Sequence, residues 1–232
     1  MTTTPTAPDK TRPASNSSGS RRASILTAAR KLVGTRGFRD TQMTAIAEEA
    51  GVALNTLYRH FPSKSGLMVE VVAHVSQREV DAAAEYAMAD GPAVDRLASA
   101  VWVFASRAVR GRRLAHALVA EPVEPEIEAA RLLFRLKLGR AFETIIHQGV
   151  RNSEFPNQNI PASAACIVGS LFEGLVGSLA FDLEVTDRDR QNHAASVVTF
   201  CMRAVTGREL TFTPDNRPIA TTPRATGLNS ES

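Results

Sequence analysis

Residues 41–64, TQMTAIAEEAGVALNTLYRHFPSK, constrain the chain more than any other stretch. Met43, Ile46, Ala47 and Ala50 recur at steps of three and four, which sets them on one face of a short helix. Thr41 stands where an N-cap side chain is expected. Gly51 follows at once; a turn this tight calls for positive φ, which glycine adopts without steric cost. Val52 is expected to pack inward and pin the turn. A second helix then carries Leu54–His60, with Leu57 inward and most other side chains outward. Phe61-Pro62 ends it, because a residue before proline avoids the α region, and Ser63 can cap the next helix. Two short helices about a glycine turn are the sequence form of a DNA-reading helix-turn-helix.

Charge is distributed to match. The first 64 residues hold ten Lys/Arg against four Asp/Glu, a surplus of six in a chain of formal net charge +3, so the remainder is net acidic. A basic segment around a helix-turn-helix is the electrostatic footprint of a DNA-binding protein. No apolar run reaches the roughly 18–20 residues that span a bilayer, and the N-terminus lacks an apolar signal core. Cys166 and Cys201, without a CxxC, both lie in apolar helical patterns and read as buried free thiols in a reducing cytoplasm.

The 232 residues suffice for a small DNA-binding domain and a larger helical one. Residues 1–20 are rich in Thr, Pro and Ser and are expected to form a disordered basic tail, whose Lys10 and Arg12, with Arg21 and Arg22 beyond it, could meet phosphates or a minor groove. Helix 1 is expected over 22–35, stopped by Gly37. The DNA-binding domain is placed at 21–80, with its motif at 41–61, and the helical domain at 81–206. A helix from Ser65 to about Met88 is expected to link the two, and within the latter helices are expected from Ala93 to Arg110, from Leu114 to Ala120, through Ile127–Ile146, and over 162–181 and 187–206. Glu121–Pro125 reads as a hinge and 149–160 as a loop. Residues 207–232 return to Thr/Pro/Ser texture and are expected to be a second disordered tail. No strand pattern is convincing.

The helix-turn-helix resembles that of the TetR family of one-component transcriptional regulators. Thr41, Ile46-Ala47, Ala50-Gly51-Val52, Thr56-Leu57-Tyr58, Phe61-Pro62-Ser63-Lys64 and Leu67 carry the resemblance, with Ile25, Ala28-Ala29, Leu32 and Gly37-Phe38 upstream, so that it covers about residues 22–67. It implies an all-α fold: an N-terminal three-helix DNA-binding domain and a larger C-terminal ligand-binding and dimerisation domain. It also implies base contacts from Thr44, Ala53, Leu54 and Asn55, and backbone contacts from Thr56, Tyr58, His60 and Lys64. Gln42 and Arg59 complete the expected DNA surface. Asn55 suits an adenine edge; Thr44 and Leu54 suit a thymine methyl. Two residues depart from the family habit: Ala53 replaces a capping serine, and Leu54 replaces a polar residue.

The family is dimeric through its last two helices, which implies a homodimer on a palindromic operator in double-stranded DNA. Gly169, Gly174 and Gly177 let helices approach closely, and Leu171, Leu175 and Val198 supply apolar area. The resemblance further implies a small-molecule effector, unidentified and apolar, that releases a repressor from DNA. Trp102, Phe104, Phe134, Phe142 and Phe172 are the aromatic candidates for its pocket; His116, Arg131, Arg135, His147 and Glu173 are the polar ones. No catalytic residue, cofactor, metal site or membrane partner is expected, and the place of action is the cytoplasm.

Two other classes compete. Glu70/His74 and Glu143/His147 would suggest a metal-carboxylate bundle enzyme, but at i, i+4 rather than the Glu-x-x-His spacing of such bundles. No HExxH, P-loop or GxSxG occurs. A helix-turn-helix kept only for protein interaction would not require Tyr58, Lys64 and the basic N-terminal region.

Overall fold

The computed structural model describes residues 15–177, 185–207, 210–214 and 218–220. Nine helices occur among them, designated α1 (Ser15–Asp40), α2 (Met43–Glu49), α3 (Leu54–His60), α4 (Lys64–Met88), α5 (Ala93–Arg110), α6 (Arg112–Ala120), α7 (Pro125–Arg151), α8 (Ile160–Gly169) and α9 (Asp187–Thr206). A π-helical segment, Ser170–Gly177, continues α8.

Two apolar cores organise the helices. The first gathers Ile25, Ala29 and Leu32 of α1, Ile46 of α2, Leu57 of α3 and Leu67, Met68 and Val71 of α4, and it also takes in Ala117 of α6 and Ile127 of α7. The second is built from the C-terminal half of α4 with α5, α7, α8, the π-helical segment and α9. At 25 residues α4 is roughly 37 Å long and contributes to both. Proline at the first position of α7, where a missing N–H costs nothing, sets the start of the helix that packs along α4. Buried Arg96 closes the far end by donating to Ala87 O (3.0 Å) and Gln148 Oε1 (2.7 Å).

Several details differ from the sequence reading. Helix α1 begins at Ser15, inside the stretch read as a tail; residues 1–14 lie outside the described ones. Gly37 does break α1, at φ 81° and ψ 177°. Thr41 is not the N-cap of α2. Gln42 holds that position, while the buried Thr41 hydroxyl turns back to donate to Gly37 O (2.6 Å). Residues 207–232 are not wholly irregular: Leu210–Phe212 (β1) pairs antiparallel with Pro218–Ala220 (β2), Thr211 opposite Ile219. Three-residue strands are too short for an alternation to register, and the ribbon is anchored by Phe212 against Trp102, with ring centroids 5.2 Å apart. The end of the expected helix 162–181 and all of 221–232 fall outside the described residues.

Candidate DNA-recognition surface and effector cavity

The turn between α2 and α3 is built as its residues require. Gly51 takes φ 65°. Val52 N–H donates to Ala47 O (3.0 Å), which folds the chain back on α2. Leu57, fully buried, anchors α3; truncating such a leucine costs about 2–5 kcal/mol. Its burial turns the rest of α3 outward. Asn55 and Arg59 are exposed, Leu54 is 37% exposed and Tyr58 44%. Thr56 and His60 are half-buried, and Gln42, Thr44 and Ala53 are exposed beside them. The ten side chains expected to face DNA therefore all reach the surface, Lys64 half-buried among them.

Their local partners set what they can do. Arg59 Nη2 donates to Thr56 Oγ1 (3.2 Å), which aligns the guanidinium along α3. Ala53 is the N-cap of α3 and makes no side-chain cap hydrogen bond. Ser63 does cap α4, its Oγ accepting from Gly66 N (3.0 Å). Lys64 Nζ donates to Arg39 O (3.0 Å). Arg22, one of the cations expected to be available to DNA, is instead paired with Glu70 and stacked on the Phe61 ring at 4.9 Å. That pairing also commits Glu70, one of the carboxylates that could have suggested a metal. Among the described residues no group of three or more His, Cys, Asp or Glu is placed to hold a metal ion. No described helix is long and apolar enough to cross a membrane.

A cavity of about 350 Å³ lies between α4, α5, α6, α7 and the π-helical segment. This is at the lower end of the range for small-molecule pockets. Phe104, Phe134 and Phe172, three of the aromatic candidates, line it. Phe172 lies 5.8 Å from Phe104 and 5.9 Å from Phe134 between ring centroids, so the three form one aromatic wall. Trp102, Phe142 and His116 do not line it. Phe142 is fully buried in the second core and Trp102 faces Phe212, because each occupies a different side of its helix. Of the polar candidates Arg131 lines the cavity, 3% exposed, while Arg135 stacks on Phe172 at 5.1 Å. Sequence reasoning missed Glu79, Arg107 and Arg110, which also line it, with Arg107 Nη1 held by Glu79 Oε2 (3.3 Å). The available signal was the pair of arginines three residues apart in the last turn of α5, just before Gly111.

The expected subunit face needs correction. Leu171, Leu175 and Val198 are buried within the monomer's own second core, and Gly174 faces Val197 of α9. Gly169 is exposed with open space around it. The backbone of Gly177 ends the π-helical segment. The outward side of α8 and α9 instead presents Cys166, Gly169, Ala204 and Phe200, the last 62% exposed. Cys166 is therefore not the buried thiol its apolar neighbours suggested. Cys201 is buried, and burial pushes its thiol up to about 11. On α7, Leu132, Leu133 and Leu136 also stand exposed.

A three-helix helix-turn-helix unit is thus joined to a larger helical domain that carries a cavity. Residues 25–71 match the family model for bacterial regulatory proteins, tetR family. The HTH-type transcriptional repressor KstR of Rhodococcus jostii is 45% identical over 64 residues, 28% of this chain and 30% of that protein. The KstR of Mycolicibacterium smegmatis is 41% identical over 78 residues, 33% and 38% of the two chains. The chain thus matches about a third of the length of these curated relatives. Among solved structures, the transcriptional regulator FadR from Bacillus subtilis in complex with stearoyl-CoA superposes with TM-score 0.67 at 18% identity, over 78% of this chain and 97% of that one. FadR from Bacillus halodurans gives 0.68 at 18% identity, over 84% and 97%. At this identity the likeness concerns the fold.

Proposed function

We propose that the chain is a sequence-specific DNA-binding transcriptional regulator, a homodimeric repressor of a palindromic operator, released when a small ligand enters the cavity. The observation that carries this reading is the division of α3: Leu57 buried, and Leu54, Asn55, Tyr58 and Arg59 presented outward. Residues 21–80 form the DNA-reading unit and 81–206 the effector and dimer unit. Asn55, Leu54, Ala53 and Thr44 read base edges, while Gln42, Thr56, Tyr58, Arg59, His60 and Lys64 hold the backbone and set the register. The repressor names of the Rhodococcus and Mycolicibacterium relatives support the direction of regulation.

Subunits meet through the outward side of α8 and α9, where Phe200 is the largest apolar group. One α3 grips only a few base pairs, and a two-fold axis doubles the contact on two half-sites. The ligand is an amphipathic molecule. The aromatic wall of Phe104, Phe134 and Phe172 takes an apolar body, and Arg107 and Arg110 give the same cavity a positive margin for an anionic head. The stearoyl-CoA carried by the FadR structure of like fold supports a long-chain acyl compound. Ligand and DNA then weaken each other by the same factor, as linkage requires. The regulator works in the cytoplasm, where its operator lies.

The test is selection of genomic fragments by the pure full chain at fixed salt, then competition with acyl-CoA and free fatty acids. A recurrent palindrome displaced by one of these is the expected result. Failure to prefer any fragment over random duplex sinks the reading.

A further inference from the structure

The cavity wall and the helix-turn-helix meet at a joint made by two side chains. Glu121 follows α6, and its Oε2 accepts from Phe38 N–H (2.7 Å), 83 residues earlier in the chain. That amide comes directly after Gly37, where α1 breaks. A Cβ on Gly37 would lie under 3.0 Å from the carboxylate carbon and both its oxygens. The carboxylate is therefore seated against bare backbone, and the seat exists only because residue 37 has no side chain. Arg131 of α7 makes the other half. Its Nη1 donates to Glu121 O (2.8 Å), its Nη2 donates to Ala117 O (2.6 Å), and its guanidinium lies 5.6 Å from the centre of the Phe38 ring.

The same elements wall the cavity. Arg131 lines it, and α6 contributes Leu114, Leu118 and Val119. Downstream, Thr41 hangs α2 from Gly37 O (2.6 Å), and Lys64 ties the start of α4 to Arg39 O (3.0 Å). A ligand that shifts the last turn of α6 thus moves a carboxylate whose charge-assisted hydrogen bond is strong and sensitive to geometry. Residues 37–39 pass the shift to both ends of the DNA-reading unit.

We propose that Glu121 and Arg131 are positioning residues that form the latch through which cavity occupancy reaches the helix-turn-helix, beside the covalent path along α4. This rests on the effector reading above and adds the route. It identifies a discrete contact that both sites bias, which is the physical requirement for coupling.

The test needs no known ligand. The cavity is filled by substitution, Val176→Phe or Ala108→Phe, both on its wall and away from the latch. Affinity is measured for a duplex that the wild-type full chain selects from a random-sequence pool. Filling is expected to weaken binding by ~10-fold, a typical allosteric factor, and to speed hydrogen exchange at the Phe38 amide. In Glu121→Ala the same filling should change affinity by less than ~2-fold, and Glu121→Gln, which keeps an acceptor, should restore part of the coupling. If Glu121→Ala fails to fold, Arg131→Lys takes its place: it keeps the charge but lacks the planar fork whose two nitrogens reach the two carbonyls. A filled cavity that weakens binding equally with and without Glu121 overturns the latch and leaves the effector reading standing. A filled cavity that leaves duplex affinity unchanged overturns both.

Discussion

Lys64 Nζ donates to the carbonyl oxygen of Arg39, 3.0 Å away, so the first residue of α4 holds the end of α1. The ammonium has three donors, and one hydrogen bond leaves two for a phosphate. Fixing the cation in this way spares the DNA complex part of the entropy of ordering a lysine. Lys64→Met should weaken binding to all duplexes alike and reduce the slope of log affinity against log salt by about one, checked by a salt titration of binding to two unrelated sequences. A loss confined to one sequence would assign Lys64 to base reading instead.

Asn55 is exposed on the opening turn of α3, and no side-chain hydrogen bond holds it among the described residues. Asn55→Ala should cost about 1–3 kcal/mol on the selected duplex and little on random DNA, so the ratio of the two affinities is the quantity to measure. Tyr58→Ala should lower both together. An unchanged ratio for Asn55→Ala removes that residue from base recognition.

Ala53 caps α3 with φ −65° and ψ 143°, the extended backbone of an N-cap, but offers no acceptor. Ala53→Ser supplies one without moving the chain. Urea denaturation should show a gain of about 0.5–1 kcal/mol. No gain would mean that the orphan amides of α3 already have a partner in solution.

Phe200 stands on the outward side of α9, with Cys166 on the facing side of α8. Phe200→Asp puts a charge at the centre of the proposed subunit contact. Sedimentation should show a monomer, and alkylation of Cys166 should become faster than in the native protein. A wild-type chain that sediments as a monomer at micromolar concentration would itself remove this interface.

Cys201 gives a pH dependence whose sign is fixed. Burial raises its thiol from 9.0 to about 11 in the folded chain. The contribution to stability is complete below pH 9, where both states hold the proton, and is lost as pH climbs towards 11, because the unfolded chain ionises first. Thermal melts between pH 8.5 and 11 should reveal a loss on the order of 2 kcal/mol that Cys201→Ala abolishes. The same loss in the variant would trace the effect to other groups.

The sequence announced the helix-turn-helix because its signals are local. Spacing, a glycine and a proline stop act within a few residues, and one buried residue, Leu57, decides the direction of seven. The cavity was half legible. Aromatic residues mark apolar helices, but which side of α5 or α7 they face depends on neighbours far along the chain, so Phe104 lines the chamber while Trp102 and Phe142 do not. The subunit face was misassigned for a related reason. Leu171 and Leu175 follow Gly169 on the π-helical continuation of α8 and Val198 shares α9 with Phe200, yet all three lie on the side that fills the monomer's own core. Residue type reports apolarity without reporting which partner satisfies it. The joint at Glu121 left no pattern at all, since its halves stand 83 residues apart.

The π-helical stretch from Ser170 to Gly177 winds wider than the α-helix before it. Each of its turns takes in about one more residue than an α turn, which advances the phase of every side chain that follows. Val176 reaches the chamber and Gly174 meets α9 in this wound-out register. Winding the same residues as an ordinary α-helix would rotate Val176 off the wall by about 100°. The dimensions of the cavity and the facing of the helix surface beside α9 are thereby tied to one another, and neither can be retuned in evolution without disturbing the other.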